Sequence, residues 1–276
     1  MRVRTERAPA LIIGSARSGT SFIGATLGAA PRAAYQREPL THEIFRRRLD
    51  LVPQLADPTP SDALTALADR AFSGRPAVST AVTPWPSQFW SRTAETLVIK
   101  EVLPMSALWL TERFAATALF VLRHPAAIVS SWHRRNWIRA PHESAFGPFL
   151  DEAGIRDDPA ACLGAILARH EQSMVAAAAA VGPRAKVIEY EELARRPVRV
   201  FQASAAHLGL AWNDAMEAEV AAATDGTLER SDGRQHLVRD SRRRSQAWRD
   251  ELSASTICSI RQGYATAGGG IYSEAW

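Results

Sequence analysis

Leu11-Ile12-Ile13-Gly14-Ser15-Ala16-Arg17-Ser18-Gly19-Thr20-Ser21-Phe22-Ile23 is the stretch whose reading decides the fold of this chain. The apolar run from Ala10 to Ile13 has the length and character of a buried parallel strand. A small-residue turn with one cation follows. From Thr20 the chain reads as a helix, with Ile23 and Leu27 four apart on one face. Strand, small-residue loop and helix together aim backbone N–H groups and a helix N-terminus at a phosphate. Gly14 and Gly19 have the spacing of the nucleoside-triphosphate loop G-x-x-x-x-G-K-[ST], but Thr20 stands in the lysine position and the cation has moved to Arg17. A triphosphate enzyme needs that lysine across the terminal phosphates, so a different phosphorylated ligand is expected. The competing reading is an ordinary strand-to-helix turn, because Gly and Ser are common in turns.

At 276 residues the chain has ample length for a buried core. Hydrophobic residues make up 46 % and charged residues 22 %, which is ordinary globular composition. The net charge is +4, and most of the basic residues are arginine, whose forked guanidinium suits phosphate or sulfate. No helix-turn-helix, zinc or aromatic-rich RNA signature accompanies that charge, so nucleic acid is not an expected partner. Cys162 and Cys258 lack metal or redox spacing and read as free thiols in a reducing compartment. The opening from Met1 to Arg7 is charged, and the apolar run after it is too short for a signal peptide. Val175 to Val181 is too short for a membrane span, so a soluble, cytoplasmic protein without a membrane partner is expected. No metal-ligand spacing and no G-x-S-x-G elbow occur.

Further strands are expected from Thr96 to Lys100, Thr117 to Leu122 and Ala185 to Tyr190, with a short one at Ala33 to Tyr35. Helices are expected from Thr41 to Leu51, Ser61 to Phe72, Pro104 to Phe114, from Pro125 onward, Asp158 to Val181, Glu191 to Leu208 with a break at Pro197, and Ser253 to Ala267. Alternating strands and helices predict an α/β fold, a three-layer parallel sheet flanked by helices. One domain over residues 1–276 is expected, with helical and loop insertions at about 40–95 and 133–180. In such sheets ligands sit beyond the carboxyl ends of the strands, where Gly14, Lys100, Arg123 and Tyr190 all fall. The stretch from Gly74 to Arg92, with Trp85, Phe89 and Trp90, reads as a lid over a pocket or as a loop pinned to the core by its tryptophans.

Arg123 at a strand end and Ser131 in the following helix can converge on one anion, although Arg-x-Pro is also a plain strand-to-helix turn. Lys100 closes a buried strand and puts a point charge at the crevice mouth, or it is simply a strand terminus.

These pieces resemble the motifs of the sulfotransferases that use 3′-phosphoadenosine 5′-phosphosulfate (PAPS). Gly14, Arg17, Ser18, Gly19, Thr20 and Ser21 match the family's 5′-phosphosulfate loop, G-x-x-[RK]-S-G-T-[TS], position by position. Arg123 and Ser131 match its 3′-phosphate motif, an Arg-x-Pro with a serine eight positions after the arginine. The resemblance implies a P-loop-nucleotidase-like sulfotransferase fold, PAPS as cofactor without a metal, and in-line transfer to an acceptor hydroxyl or, less favoured, an amine. It gives Arg17 and Lys100 the task of stabilising charge on the departing 3′,5′-bisphosphate. Cytosolic small-molecule sulfotransferases carry Lys-Thr-His-Leu-Pro where this chain has Lys100-Glu101-Val102-Leu103-Pro104, and Val102 cannot act as their histidine base. Tyrosylprotein and heparan sulfate 3-O-sulfotransferases resemble the present arrangement instead. Their glutamate base lies at about the distance of Glu38, 21 residues after Arg17.

The resemblance thus makes Glu38 the catalytic base, with Glu101 and His42 in reserve. Such a carboxylate works when a partly dry site raises its pKa toward working pH. Glu38 before Pro39 also fits a solvated glutamate at a helix N-terminus. Tyr190-Glu191-Glu192-Leu193 resembles the family's Tyr-Glu-[DE]-Leu strand exit, which would let Tyr190 approach the nucleotide, while the glutamates equally suit a first helical turn. The family's late basic segment, folding over the 3′-phosphate, corresponds to Arg242 and Arg243 ahead of Trp248. The family's glycine pattern is missing there, and an arginine run fits a solvated face as well.

The expected function is therefore a PAPS-dependent sulfotransferase acting on a small-molecule or natural-product acceptor, with a homodimer left open. Trp85, Trp90 and Trp137, in the variable segments from Thr83 to Trp90 and His133 to Phe149, suggest an apolar acceptor pocket. A P-loop kinase and a noncatalytic PAPS- or bisphosphate-binding protein are the rivals.

Overall fold

The computed structural model describes residues 7–47, 49–74, 94–135, 145–224 and 241–276. The expected lid with Trp85, Phe89 and Trp90, and also Trp137, lie outside the described residues. Five strands form one parallel sheet: β1 (Ala10–Gly14), β2 (Ala33–Arg37), β3 (Thr96–Glu101), β4 (Thr117–Leu122) and β5 (Ala185–Glu189), in the order β2-β3-β1-β4-β5. β1 is hydrogen-bonded on both sides and all five of its residues are buried, which explains its uninterrupted apolar sequence.

Side-chain alternation along each strand builds the two outer layers. Ile12 of β1, Val98 of β3 and Leu119 and Val121 of β4 point to one face, where Ile23 and Leu27 of the helix Thr20–Gly28 and Phe201 of Pro197–His207 cover them. Leu11, Ile13, Ile99 and Phe120 point to the other, beneath Ala168, Met174 and Ala177 of the long helix Pro159–Val181. That helix starts where the sequence says it should, with the Asp158 side chain accepting the N–H groups of Ala160 and Ala161. No described helix is long and apolar enough to cross a membrane.

Three local departures matter. The short strand does not stop at Tyr35 but runs to Arg37, which comes into register with Lys100. The next helix is Pro39–Arg47, opening two residues early because proline is tolerated in a first turn, and a 3₁₀ segment, Leu49–Leu55, follows it. The helix expected from Pro104 divides into a 3₁₀ turn, Pro104–Ser106, and Ala107–Arg113.

Candidate active site

The loop between β1 and the helix Thr20–Gly28 is fastened residue by residue. Ser15 Oγ hydrogen-bonds His170 Nδ1 at 3.1 Å, the Trp132 indole donates to the Ala16 carbonyl at 3.1 Å, and Arg123 Nη1 donates to the Arg17 carbonyl at 3.0 Å. Arg17 itself has φ 73° and Gly19 φ 100°, so the loop turns through left-handed backbone twice. Only glycine fits at position 19, where a Cβ would lie 2.4 Å from the Tyr190 ring. Beyond it the N–H groups of Thr20 and Ser21 open the helix. The first N–H groups of a helix have no partner within it, and no side chain caps this one. Ser18 Oγ, wholly buried, has no hydrogen-bond partner among the described residues. An orphaned buried hydroxyl costs ~1–3 kcal/mol, so a loop that keeps one beside free helix N–H groups is suited to an anion.

Lys100 and Glu38 meet at the carboxyl ends of β3 and β2. Lys100 is 1 % exposed and its ammonium donates to Glu38 Oε1, while Glu38 remains 23 % exposed. The helix Thr20–Gly28 comes down on the lysine stem through Gly24, where a Cβ would be 3.1 Å from Lys100 Cβ and Cγ. The backbone of Glu38 is pinned in left-handed geometry at φ 51°. Its N–H donates to the Lys100 carbonyl at 2.6 Å and its own carbonyl accepts the His42 N–H at 2.9 Å.

The electrostatics here correct the expectation that a dry site lifts Glu38 toward working pH. Burial does push its carboxyl up, but Lys100 and Arg37, whose Nε is 3.7 Å from the same oxygen, outweigh burial and hold it below the usual carboxylate range. Burial in turn pushes the Lys100 ammonium down, with Glu38 opposing. Glu101, one of the reserve bases, is committed elsewhere. Its oxygens accept Leu40 N–H at 2.6 Å and the Thr41 hydroxyl at 2.6 Å, closing the helix Pro39–Arg47, and burial pushes its carboxyl up to about 7. Val102, at the histidine position of the cytosolic enzymes, packs among Ala16, Leu163 and Leu167.

The other end of the crevice gathers Arg123, Ser131 and Tyr190. Arg123 Nη1 and Nη2 donate to the carbonyls of Arg17 and Arg244, each at 3.0 Å, and its guanidinium lies 4.3 Å over the Tyr190 ring. Its buried Nε has no hydrogen-bond partner among the described residues. Ser131 Oγ accepts from Arg17 Nε at 3.0 Å. Ser130 turns the other way, its hydroxyl donating to Glu251. The chain therefore brings Arg17, Arg123, Ser131 and Tyr190 around one loop.

The two late arginines lie on the helix Ser241–Gln246. Arg242 and Arg243 are exposed, and Arg242 donates to the Arg195 carbonyl at 3.1 Å. The late segment meets Arg123 through the Arg244 carbonyl instead, a backbone contact that no side-chain pattern announces. His170 and Trp132 were also absent from the sequence reading. Trp132 directly follows Ser131 and could have been found by its helical position. His170 carries no local signal, since its loop partner lies 155 residues away.

A family model described as the sulfotransferase family matches residues 9–214. No curated protein is similar enough to the sequence to count as a relative. Among solved structures, the sulfotransferase domain of the Synechococcus PCC 7002 olefin synthase is similar over 95 % of this chain and 95 % of its own, at 17 % identity and a TM-score of 0.55. The sulfotransferase domain from the curacin biosynthetic pathway is similar over 94 % and 98 %, at 14 % identity and a TM-score of 0.48. Mouse SULT7A1, solved with PAP, is similar over 95 % and 84 %, at 13 % identity and a TM-score of 0.49.

Proposed function

Because the chain belongs to the sulfotransferase family, we propose that it transfers a sulfuryl group from PAPS to a hydroxyl of a small-molecule acceptor, with Glu38 as general base. The observation that carries this is the Lys100–Glu38 pair, held at the strand ends beside a loop whose buried Ser18 hydroxyl and helix N–H groups suit an anion. The residues present fit the nucleotide at both ends: Ser18 Oγ and Arg123 Nε are each buried polar atoms without a partner among the described residues.

PAPS, when bound, supplies an activated sulfuryl group on a stable leaving group. Ser18, Gly19, Thr20 and Ser21 hold its 5′-phosphate, with Gly14 and Gly19 letting the backbone approach. Arg123 and Ser131 select the 3′-phosphate, and Tyr190 backs the guanidinium. Arg17 and Lys100 place positive charge at the loop mouth, the kind of preorganised donor whose loss typically costs ~10²–10³ in rate. Once Lys100 turns to that anion, Glu38 is released from its partner. Arg37 still opposes burial there, but without the lysine the carboxyl becomes a stronger base for the acceptor proton. The likeness to a domain of an olefin synthase supports a metabolite acceptor. Thr20 in the lysine position speaks against a kinase.

Incubation with labelled PAPS and a metabolite extract, followed by mass spectrometry, is expected to yield a labelled sulfate ester. Calorimetry is expected to show adenosine 3′,5′-bisphosphate bound more tightly than ATP. The reverse order, or no labelled product, overturns the proposal.

A further inference from the structure

Glu191 stands where three elements meet, with both carboxylate oxygens engaged. Oε1 accepts the His124 N–H at 3.0 Å, and Oε2 accepts the Tyr272 hydroxyl at 3.0 Å. Tyr272 is itself tightly fixed. Its N–H donates to the Tyr264 hydroxyl oxygen at 3.1 Å, and the Tyr264 hydroxyl donates to Glu171 Oε2. Glu171 Oε1 accepts the N–H groups of Gly270 and Ile271 at 2.9 and 3.0 Å. Glu171, Tyr264 and Tyr272 are all buried. The His124 ring, also buried, stacks on Trp248 at 4.4 Å and meets the edges of Tyr272 and Trp276 at 5.4 and 4.6 Å.

The Glu191–His124 bond acts on the peptide that immediately follows Arg123, and the other contacts hold Tyr272 and the His124 ring in place. The arginine side chain is fixed from the opposite direction by two carbonyls and the Tyr190 ring, with Nε left over. A guanidinium that must present a chosen nitrogen to an anion depends on where its own backbone is held, because small displacements of a site's first contacts are felt strongly. We propose that Tyr272 and Glu191 are positioning residues that set the Arg123 backbone, and with it the discrimination in favour of a nucleotide carrying a ribose 3′-phosphate. The proposal rests on the role given to Arg123 above. Neither residue touches the nucleotide; both act through the His124 N–H.

The test is calorimetry on the full chain with adenosine 3′,5′-bisphosphate and adenosine 5′-phosphate, compared as a ratio of affinities. Tyr272→Phe removes one hydroxyl and is expected to weaken the bisphosphate about fivefold, the equivalent of one hydrogen bond, while leaving the monophosphate unchanged. Glu191→Gln can still accept from His124 and donate to Tyr272, so it is expected to keep the wild-type ratio, whereas Glu191→Ala loses it. Should Tyr272→Phe not be recovered folded, the Gln and Ala variants of Glu191 decide by the same ratio. Equal weakening of both nucleotides, or an unchanged ratio where Arg123→Ala abolishes it, overturns the proposal. An unchanged ratio in Arg123→Ala would instead remove Arg123 from 3′-phosphate recognition, and the proposal with it.

Discussion

The two ends of the crevice hold buried charge in opposite ways. At the β2–β3 end, Lys100 and Glu38 answer each other, and the carboxylate offsets the cation's charge. At the β4–β5 end, Arg123 is held by carbonyl oxygens and a tyrosine face, which orient the guanidinium without cancelling its charge. Its neighbouring acid, Glu191, is committed to the His124 N–H and the Tyr272 hydroxyl. In the proposed reaction the first end parts and the second receives. Losing one member of a buried pair typically costs ~3–5 kcal/mol because the other is stranded, so a pair that must open for work needs an incoming anion to take up the lysine.

The largest test of that contrast is Glu38→Gln. Turnover is expected to fall by ~10²–10⁴, the usual contribution of a general base. Affinity for adenosine 3′,5′-bisphosphate should hold or tighten, because Lys100 no longer has to leave a carboxylate. Steady-state rates and calorimetry read the two separately, and a parallel loss in both would erase the distinction between the ends.

The pH profile sharpens the comparison next. With Glu38 held low in the free protein, kcat/KM should stay level through neutrality and fall only as pH drops below the ordinary glutamate range. The stability contributed by the depressed carboxyl follows the same sense, present above its unfolded pKa and lost as pH falls through the folded one. Lys100→Met removes the largest attraction and leaves Arg37 and His42 to oppose burial, so the acid limb of the residual activity should move to higher pH. A limb that stays in place would show that Lys100 does not govern Glu38.

A smaller effect is expected at the loop. Gly19→Ala places a side chain at φ 100°, worth ~1–2 kcal/mol of strain, and drives its Cβ against Tyr190. Denaturant unfolding should show that loss, and adding Tyr190→Ala should recover the collision but not the strain. The smallest effect separates two adjacent hydroxyls. Ser131→Ala should weaken the bisphosphate by about one hydrogen bond, ~1 kcal/mol, while Ser130→Ala, whose partner is Glu251, should leave nucleotide affinity alone.

Much of the molecule was legible before any coordinates. β1, the loop and the helix Thr20–Gly28 follow from local period and glycine spacing, while the preference for Ser131 over Ser130 comes only from the resemblance to the family's motif. The charge state of Glu38 was not legible. It depends on β2 extending to Arg37 and pairing with β3, a register set by contacts 63 residues apart, and no window of sequence contains both partners. Glu191 illustrates the same limit: its neighbours suggest a charged first turn, yet its partners are His124 and Tyr272, remote in the chain. The late segment shows it again: its contact to Arg123 is the Arg244 carbonyl, and a sequence prints side chains.

Arg17 and Glu38 are two of the four non-glycine residues at positive φ among the described residues, the others being Arg32 and Ala115. Each such residue holds the chain in a conformation that asparagine or glycine would occupy with less tension. A search for heat-resistant variants that scored folding alone would therefore drift toward replacing the loop cation Arg17 and the proposed base Glu38. The hardiest descendants from such a screen would be expected to include inert ones, so selection for robustness in this protein has to be run with turnover as a second gate.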